Sequence, residues 1–428
     1  MENRYDRYKD SGIAWIGEIP EHWNIGYVGK FLNEVNNRNT SQKETNTLQF
    51  KMGEIVSKSD GNSKYNPESI ESYNIVYPGT IMINGLNLSF DFVSQRVGLV
   101  KERGAITSAY LAMKPNDNCS PNYVTYLFKS YDYKKVFHSL GKGLRATLNY
   151  NIIRNELIVL PSFHEQQTIA AYLDQKCGEI DELITLQEEM ITKLQSYKQS
   201  VITEAVTKGL DKNVPLKDSG IEWIGEIPEH WEVKRLKYFG NNYNGLTYSP
   251  NDICSSQEGI IVLRSSNIKD NKLCFDDNVY VNKEIPTKLL VNKGDILICS
   301  RNGSASLIGK AALIETDIKA TFGAFMMIFR GNNICHKYLY YIVTSCISQY
   351  KWLFTTATIN QLTSSMLGEI FAPFICNKLE QQSIADYLDQ RCSEIDELIS
   401  IKQQKIEKLK EYKKSLIFEC VTGKRKVS

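Results

Sequence analysis

Two stretches of the chain repeat apolar residues at the spacing of a helix face. In the first, Ile180, Leu183, Ile184, Met190, Ile191, Leu194, Tyr197 and Val201 stand among Lys, Glu and Gln. In the second, Ile395, Leu398, Ile399, Ile406, Leu409, Tyr412 and Leu416 do the same. Each pattern predicts an amphipathic helix of about thirty residues, about 45 Å long. Ser162 with Glu165, and Asn377 with Glu380, have the spacing of a capping box at each start. Gln187, Lys402 and Lys405 interrupt a strict heptad. Neither stripe can stand exposed in water, so the two helices are expected to pack on each other as an antiparallel coiled coil.

Before each helix lies a stretch of different character. YPGTIMIN (77–84) and NKGDILICS (292–300) read as a turn followed by a strand. AITSAYLAMK (105–114) and ATFGAFMMIFR (320–330) read as β-rich segments. YVTYLFKSYDYKKVFHSL (123–140) and KYLYYIVTSCISQYKWLF (337–354) read as aromatic helices, and LIVLP (157–161) and EIFAPF (369–374) as short closing strands. The expected fold class is α+β, with two globular domains built on twisted mixed or antiparallel sheets. The expected boundaries are a first domain over 1–160, a first helix over 161–210, a second domain over 211–375, and a second helix with its tail over 376–428.

The order repeats because the text repeats. KDSGIAWIGEIPEHW (9–23) returns as KDSGIEWIGEIPEHW (217–231), with fourteen of fifteen letters alike. EQQTIAAYLDQKCGEIDELI (165–184) returns as EQQSIADYLDQRCSEIDELI (380–399), with sixteen of twenty alike. The offset is 208 residues for the first phrase and 215 for the second. Repeats of this length in the same order mark an internal duplication. The frame is kept and the intervening text has diverged.

Composition narrows the function classes. The 428 residues are 42% hydrophobic and 23% charged, as in ordinary globular proteins. A net charge of +2 argues against a sequence-independent nucleic-acid coat, which needs a strong basic excess. The ten cysteines show no C-x-x-C pair and the five histidines no H-E-x-x-H, so reduced thiols and no metal are expected. Cys177 and Cys392 match across the repeat and read as small core residues. The charged start MENRYDRYKD and the absence of a long apolar run predict neither signal peptide nor membrane span. GSASLIGKA (303–311) fails as a phosphate loop, being one residue too long and ending on Ala311 where Ser or Thr must hold Mg²⁺. GKGLRA (141–146) lies between helix-like and strand-like text, the reverse of a dinucleotide-binding turn. No N-P-P-Y or D-P-P-Y tetrapeptide occurs. No catalytic residue is expected.

The W-I-G-x-I-P-x-x-W phrase heading each unit, and E-Q-x-x-I-A-x-Y-L-D…E-I-D-E-L-I opening each helix, resemble the specificity subunit of type I restriction-modification systems. GDIL (294–297) and IGKAAL (308–313) are similar to its second target-recognition domain. The resemblance covers nearly the whole chain. It implies that each variable domain reads one half of a split site in double-stranded DNA. It implies that the helices set the gap and dock two modification subunits, which use S-adenosylmethionine to methylate adenine. Restriction subunits using ATP and Mg²⁺ would complete the assembly, leaving this chain without a cofactor, off membranes, in the prokaryotic cytoplasm. The alternative is a two-headed coiled-coil scaffold that binds no DNA. Unlike heads on like frames favour the first.

Base readout needs Arg or Lys for guanine and Asn or Gln for adenine, with Ser and Thr as flexible partners. The candidates in the first domain are Lys51, Arg96, Lys142, Arg145, Thr147 and Asn149. Those in the second are Arg264, Arg301, Asn302, Ser304, Thr358, Asn360 and Gln361. The repeat tryptophans Trp15, Trp23, Trp223 and Trp231 are expected to pin each entry strand to the core rather than to stack on bases. Residues alike in both units cannot discriminate unlike half-sites.

Overall fold

The computed structural model describes residues 4–58, 70–93, 95–141, 143, 146–354 and 360–427. The chain divides into two compact units, Met1–Glu188 with Gln403–Ser428, and Glu189–Lys402. Each unit therefore takes its closing helical segment from the other long helix.

In the first unit, strands Leu32–Glu34, Leu111–Pro115, Ile81–Ile83 and Val97–Leu99 form a four-stranded antiparallel sheet in that order. Ile81, Met82 and Ile83 are all buried, as a continuous apolar run demands of an inner strand. Asn24–Tyr27 and Leu157–Leu160 pair antiparallel where the chain enters and leaves. The second unit repeats the plan with Gly240–Asn244, Met326–Gly331, Ile296–Cys299 and Ala311–Leu313. Glu232–Arg235 pairs with Phe371–Phe374 at its entry and exit. A second four-stranded sheet there includes a parallel pair, Ile260–Leu263 with Ala320–Phe322, so this unit is mixed. The fold is α+β.

Three details depart from the periodicity. Each β-rich segment splits in two, Gly104–Ile106 with Leu111–Pro115, and Ala320–Phe322 with Met326–Gly331. The aromatic helix Pro121–Tyr133 stops before Val136–Leu140 because Lys135 is left-handed, with φ +58°. The long helices are Phe163–Lys208 and Lys378–Val421, 46 and 44 residues. At 1.5 Å per residue they reach about 69 and 66 Å, well beyond the stripe alone. The extra turns carry Ile169, Ala170, Leu173 and Cys177, which join the core of the first unit with Tyr123, Leu127 and Phe128.

Within each unit the two helical segments lie antiparallel. In the first, Lys413 Nζ donates to Asp181 at 2.6 and 2.7 Å. In the second, Lys198 Nζ donates to Asp396 at 2.7 Å, and Lys402 approaches Met190 Sδ at 3.3 Å. Ile180 and Leu416 are buried in the first unit's core and Val201 in the second's, and Ile395 is buried as well. Ile184, Leu194, Ile399 and Leu409 are half-buried, and Ile406 is buried. Leu183, Met190, Tyr197, Leu398 and Tyr412 are exposed. The buried line follows 180, 184, 187, 191, 194, 198 and 201, a regular four-three heptad that runs through Gln187 and Lys198. Sequence spacing alone placed Leu183 and Tyr197 on that line. The structure turns them outward.

The repeated phrases fasten each head to its helix. Trp23 Nε1 donates to Glu165 at 3.1 Å, with Tyr5 Oη at 2.6 Å and His22 Nε2 at 3.0 Å from the same carboxylate. Trp231 Nε1 donates to Glu380 at 2.9 Å, with His230 at 3.1 Å. Ser162 Oγ does cap its helix, accepting from Glu165 N–H at 3.3 Å. The reciprocal half of the capping box is absent among the described hydrogen bonds. A buried indole N–H needs an acceptor and takes the carboxylate. Gln166 is buried, accepts from Ser120 N–H at 2.8 Å and donates to Pro161 O at 3.1 Å. Gln381 repeats this with Cys335 N–H at 2.9 Å and Ile375 O at 2.7 Å. Tyr126 donates to Asp174 at 2.7 Å and Tyr341 to Asp389 at 2.8 Å. Burial and these carboxylates push both phenols far above their usual range.

Candidate nucleic-acid interface

Fixed frames leave the loops free to differ. In the second unit the central strand Ile296–Cys299 ends at Ser300 and Arg301, whose N–H groups both donate to Phe325 O at 3.0 and 3.1 Å. Leu362 N–H donates to Ser300 O at 2.8 Å, which brings the segment after residue 359 to the same corner. Arg301 bridges Gln361 there, and its guanidinium donates to Gln361 Oε1 at 2.6 Å. Asn302 Oδ1 accepts from Ser304 N–H at 3.0 Å, while its amide N lies 3.5 Å from Ser265 Oγ. Ser304 and Ser306 hydroxyls are 2.8 Å apart. Asn360 is half-buried, and its Oδ1 has no partner among the described residues. Arg264 is held by Asp277, at 2.8 Å to the carboxylate and 3.1 Å to the carbonyl.

Arg301, Asn302, Ser304, Asn360 and Gln361 thus converge from two distant segments. Arg301 and Ser304 are exposed, and Asn302, Asn360 and Gln361 half-buried. An arginine fork beside two primary amides can read guanine and adenine edges. The Arg301–Gln361 bond holds both side chains at this corner. Thr358 lies outside the described residues.

The first unit builds the corresponding corner differently. Leu148 N–H donates to Gly85 O at 2.9 Å and Leu88 N–H to Ala146 O at 3.1 Å, lacing the loop after Ile81–Ile83 to the segment 146–149. A Cβ at Gly85 would lie 2.5 Å from Leu148 O, so this approach requires glycine. Thr147 is half-buried here. Asn149 is exposed, but its Oδ1 caps the short helix Tyr150–Ile153, accepting from Ile152 N–H at 3.2 Å. Lys142 and Arg145 lie outside the described residues. Lys51 is exposed, separate from this set, at the tip of the hairpin Leu48–Lys51 with Glu54–Ser57.

Arg96 requires a correction. It is fully buried, with Nη1 donating to Asn84 O at 2.9 Å and Leu86 O at 2.8 Å, and Nη2 to Asp91 O at 2.7 Å. Its backbone N–H donates to the buried Asp132 at 2.9 Å. Burial pushes the Asp132 carboxyl above its usual range. A guanidinium bonded to three loop carbonyls does not reach a base. It looked like a surface cation because its closest partners are main-chain groups, which carry no letter in the sequence; the Asp91 carboxylate lies further off at 3.4 Å. Trp23 and Trp231 are also fully buried, which removes them as base platforms.

Among the described residues, no cluster of three His, Cys, Asp or Glu could hold a metal ion, and no helix is long and apolar enough to cross a membrane.

Residues 228–411 match the family model described as the type I restriction modification DNA specificity domain. Over 96% of both chains, this one is 26% identical to a Methanocaldococcus jannaschii protein provisionally named the type I restriction enzyme MjaX specificity subunit. It is 23% identical to the MjaVIII specificity subunit of the same organism, over 96% of this chain and 94% of that one. Its fold matches a chain from the structure described as the basis of complex assembly and conformational transition of the type I R-M system. That match has a TM-score of 0.70 and 15% identity, over 94% of this chain and 98% of the other. The HsdS subunit of Thermoanaerobacter tengcongensis matches with a TM-score of 0.50 and 16% identity, over 95% and 98%. The duplicated Trp and Glu-Gln phrases, the full-length similarity and the shared fold agree: residues 228–411 match the DNA specificity domain, and the chain as a whole is similar to type I restriction-modification specificity subunits.

Proposed function

We propose that this chain supplies DNA sequence specificity to a type I restriction-modification complex. Each unit reads one half of a bipartite target at the loop corner described above. The long helices form an antiparallel coiled coil that sets the unspecified gap, and their outward side chains dock two modification subunits. Those subunits bring S-adenosylmethionine and methylate adenine; restriction subunits bring ATP and Mg²⁺. This chain contributes recognition and no catalytic group, and works in the prokaryotic cytoplasm.

The observation that carries the reading is the contrast between frame and corner. Glu165, Gln166 and Asp174 hold the first head in the same way that Glu380, Gln381 and Asp389 hold the second. The corners share a scaffold and differ in side chains. Equivalent partners need equivalent surfaces, and different half-sites need different ones. The ion pairs Asp181–Lys413 and Lys198–Asp396 join equivalent positions of the repeat, one pair within each unit, as a duplicated frame requires.

The test is a methylome. The chain is expressed with its modification subunit in a host free of other adenine methylation, and methylated adenines are mapped by single-molecule sequencing. The expected result is one split motif with a fixed gap, methylated once on each strand. An assembled complex that methylates nothing refutes the reading.

A further inference from the structure

The loop between Ile81–Ile83 and Val97–Leu99 carries an unusual combination. Its tip shows Phe90, Phe92 and Val93 to solvent, at 77%, 56% and 92% exposure. Its base is anchored as firmly as a core element. Leu88 is buried in the unit's core, and the buried Arg96 side chain ties the carbonyls of Asn84, Leu86 and Asp91 together. Lys135 Nζ donates to Phe92 O at 2.5 Å, and His138 Nε2 lies 3.0 Å from Asp91 O. The His138 ring stacks on Phe92 at 4.8 Å.

From this geometry we infer that Phe90 and Phe92 form an apolar wedge that enters a base step of the duplex read by the first unit, with Arg96 as its positioning residue. The inference rests on the DNA-reading function proposed above and deepens it. Three considerations select this occupant. The loop is laced to the segment 146–149, and so stands at the corner which in the second unit holds Arg301, Asn302 and Gln361. Lys135, whose ammonium bonds the carbonyl of Phe92, sets positive charge beside the tip, which suits phosphates. Three apolar side chains are far below the roughly 1,200 Å² that a stable protein interface buries. Side chains such as Phe that insert between base pairs unstack one step and kink the duplex. A wedge must enter without collapsing, which is what a loop tied by a buried guanidinium provides. The first unit would then read part of its half-site through the ease of unstacking a step, while the second relies on polar contacts.

The experiment uses the full chain assembled with its modification subunits, and duplexes carrying the half-sites found by the methylome. 2-Aminopurine replaces each base of the first half in turn, the methylated adenine excepted. The expected result is a severalfold rise in fluorescence at one step on complex formation. Phe90→Ala/Phe92→Ala abolishes the rise and weakens binding about tenfold, the scale of one lost stacking contact. The salt dependence of binding stays unchanged, because no phosphate contact is lost. Phe90→Leu/Phe92→Leu restores most of the rise. A wild-type complex that methylates its site but shows no rise anywhere overturns the wedge and leaves the DNA-reading function standing. So does an alanine variant with the wild-type rise. An alanine variant that no longer binds its modification subunits assigns the loop to a protein partner and also overturns it. A wild-type complex without methylation refutes the underlying function instead.

Discussion

Glu165 offers the clearest test of how the repeated phrases work. Its carboxylate accepts from Trp23 Nε1, Tyr5 Oη and His22 Nε2. Tyr5 is partly buried and His22 exposed, so water can replace much of what they lose. Trp23 is fully buried, and its N–H would be left without an acceptor. A buried unsatisfied donor costs about 1–3 kcal/mol, so Glu165→Ala should destabilise the attachment of the opening phrase by about 2 kcal/mol. Glu165→Gln keeps an oxygen acceptor without the charge and should cost about 1 kcal/mol. The assay is backbone hydrogen exchange of the full chain, read by mass spectrometry on peptides covering 8–23 and 216–231. A loss of 2 kcal/mol speeds exchange through local opening about thirtyfold. The effect should be confined to the first peptide, and Glu380→Ala should reproduce it in the second. Exchange within about threefold of wild type in both variants would refute the argument that the carboxylate is what holds the tryptophan.

Replacing Arg301 with Ala should relax one base pair of one half-site by about 1–3 kcal/mol and leave the other half intact, as read from methylation frequencies across target variants. Lys198→Ala should cost only about 0.5–1 kcal/mol in urea denaturation, since Asp396 is half exposed; the exchange Lys198→Asp with Asp396→Lys should recover most of it. Alkylation at pH 8, mapped by mass spectrometry, should label the exposed Cys376 first. Burial pushes the Cys119 thiol up to about 11, the Cys420 thiol up to about 12 and the fully buried Cys346 thiol further still, so few thiolates form there and these three should label late, Cys346 last.

The amino-acid sequence by itself determined the duplication, the two amphipathic helices, the α+β alternation and the Ser162 cap. These depend on near neighbours along the chain, where spacing of three, four or two residues reports directly on a face. Three features were decided only by tertiary structure. The helix seam, whose interruption at Gln187 the spacing predicts, also runs through Lys198 rather than Leu183 and Tyr197, because its rotation depends on what the partner segment presents. Glu165 and Glu380 have capping-box spacing, yet their carboxylates serve tryptophans about 140 to 150 residues earlier, since a buried indole N–H must find an acceptor wherever the fold brings one. Arg301 and Gln361 come from segments sixty residues apart and meet at one corner, whereas Arg96 turns inward to main-chain carbonyls. Composition marks such residues as able to bind. Only the packed chain determines whether they face a ligand or their own backbone.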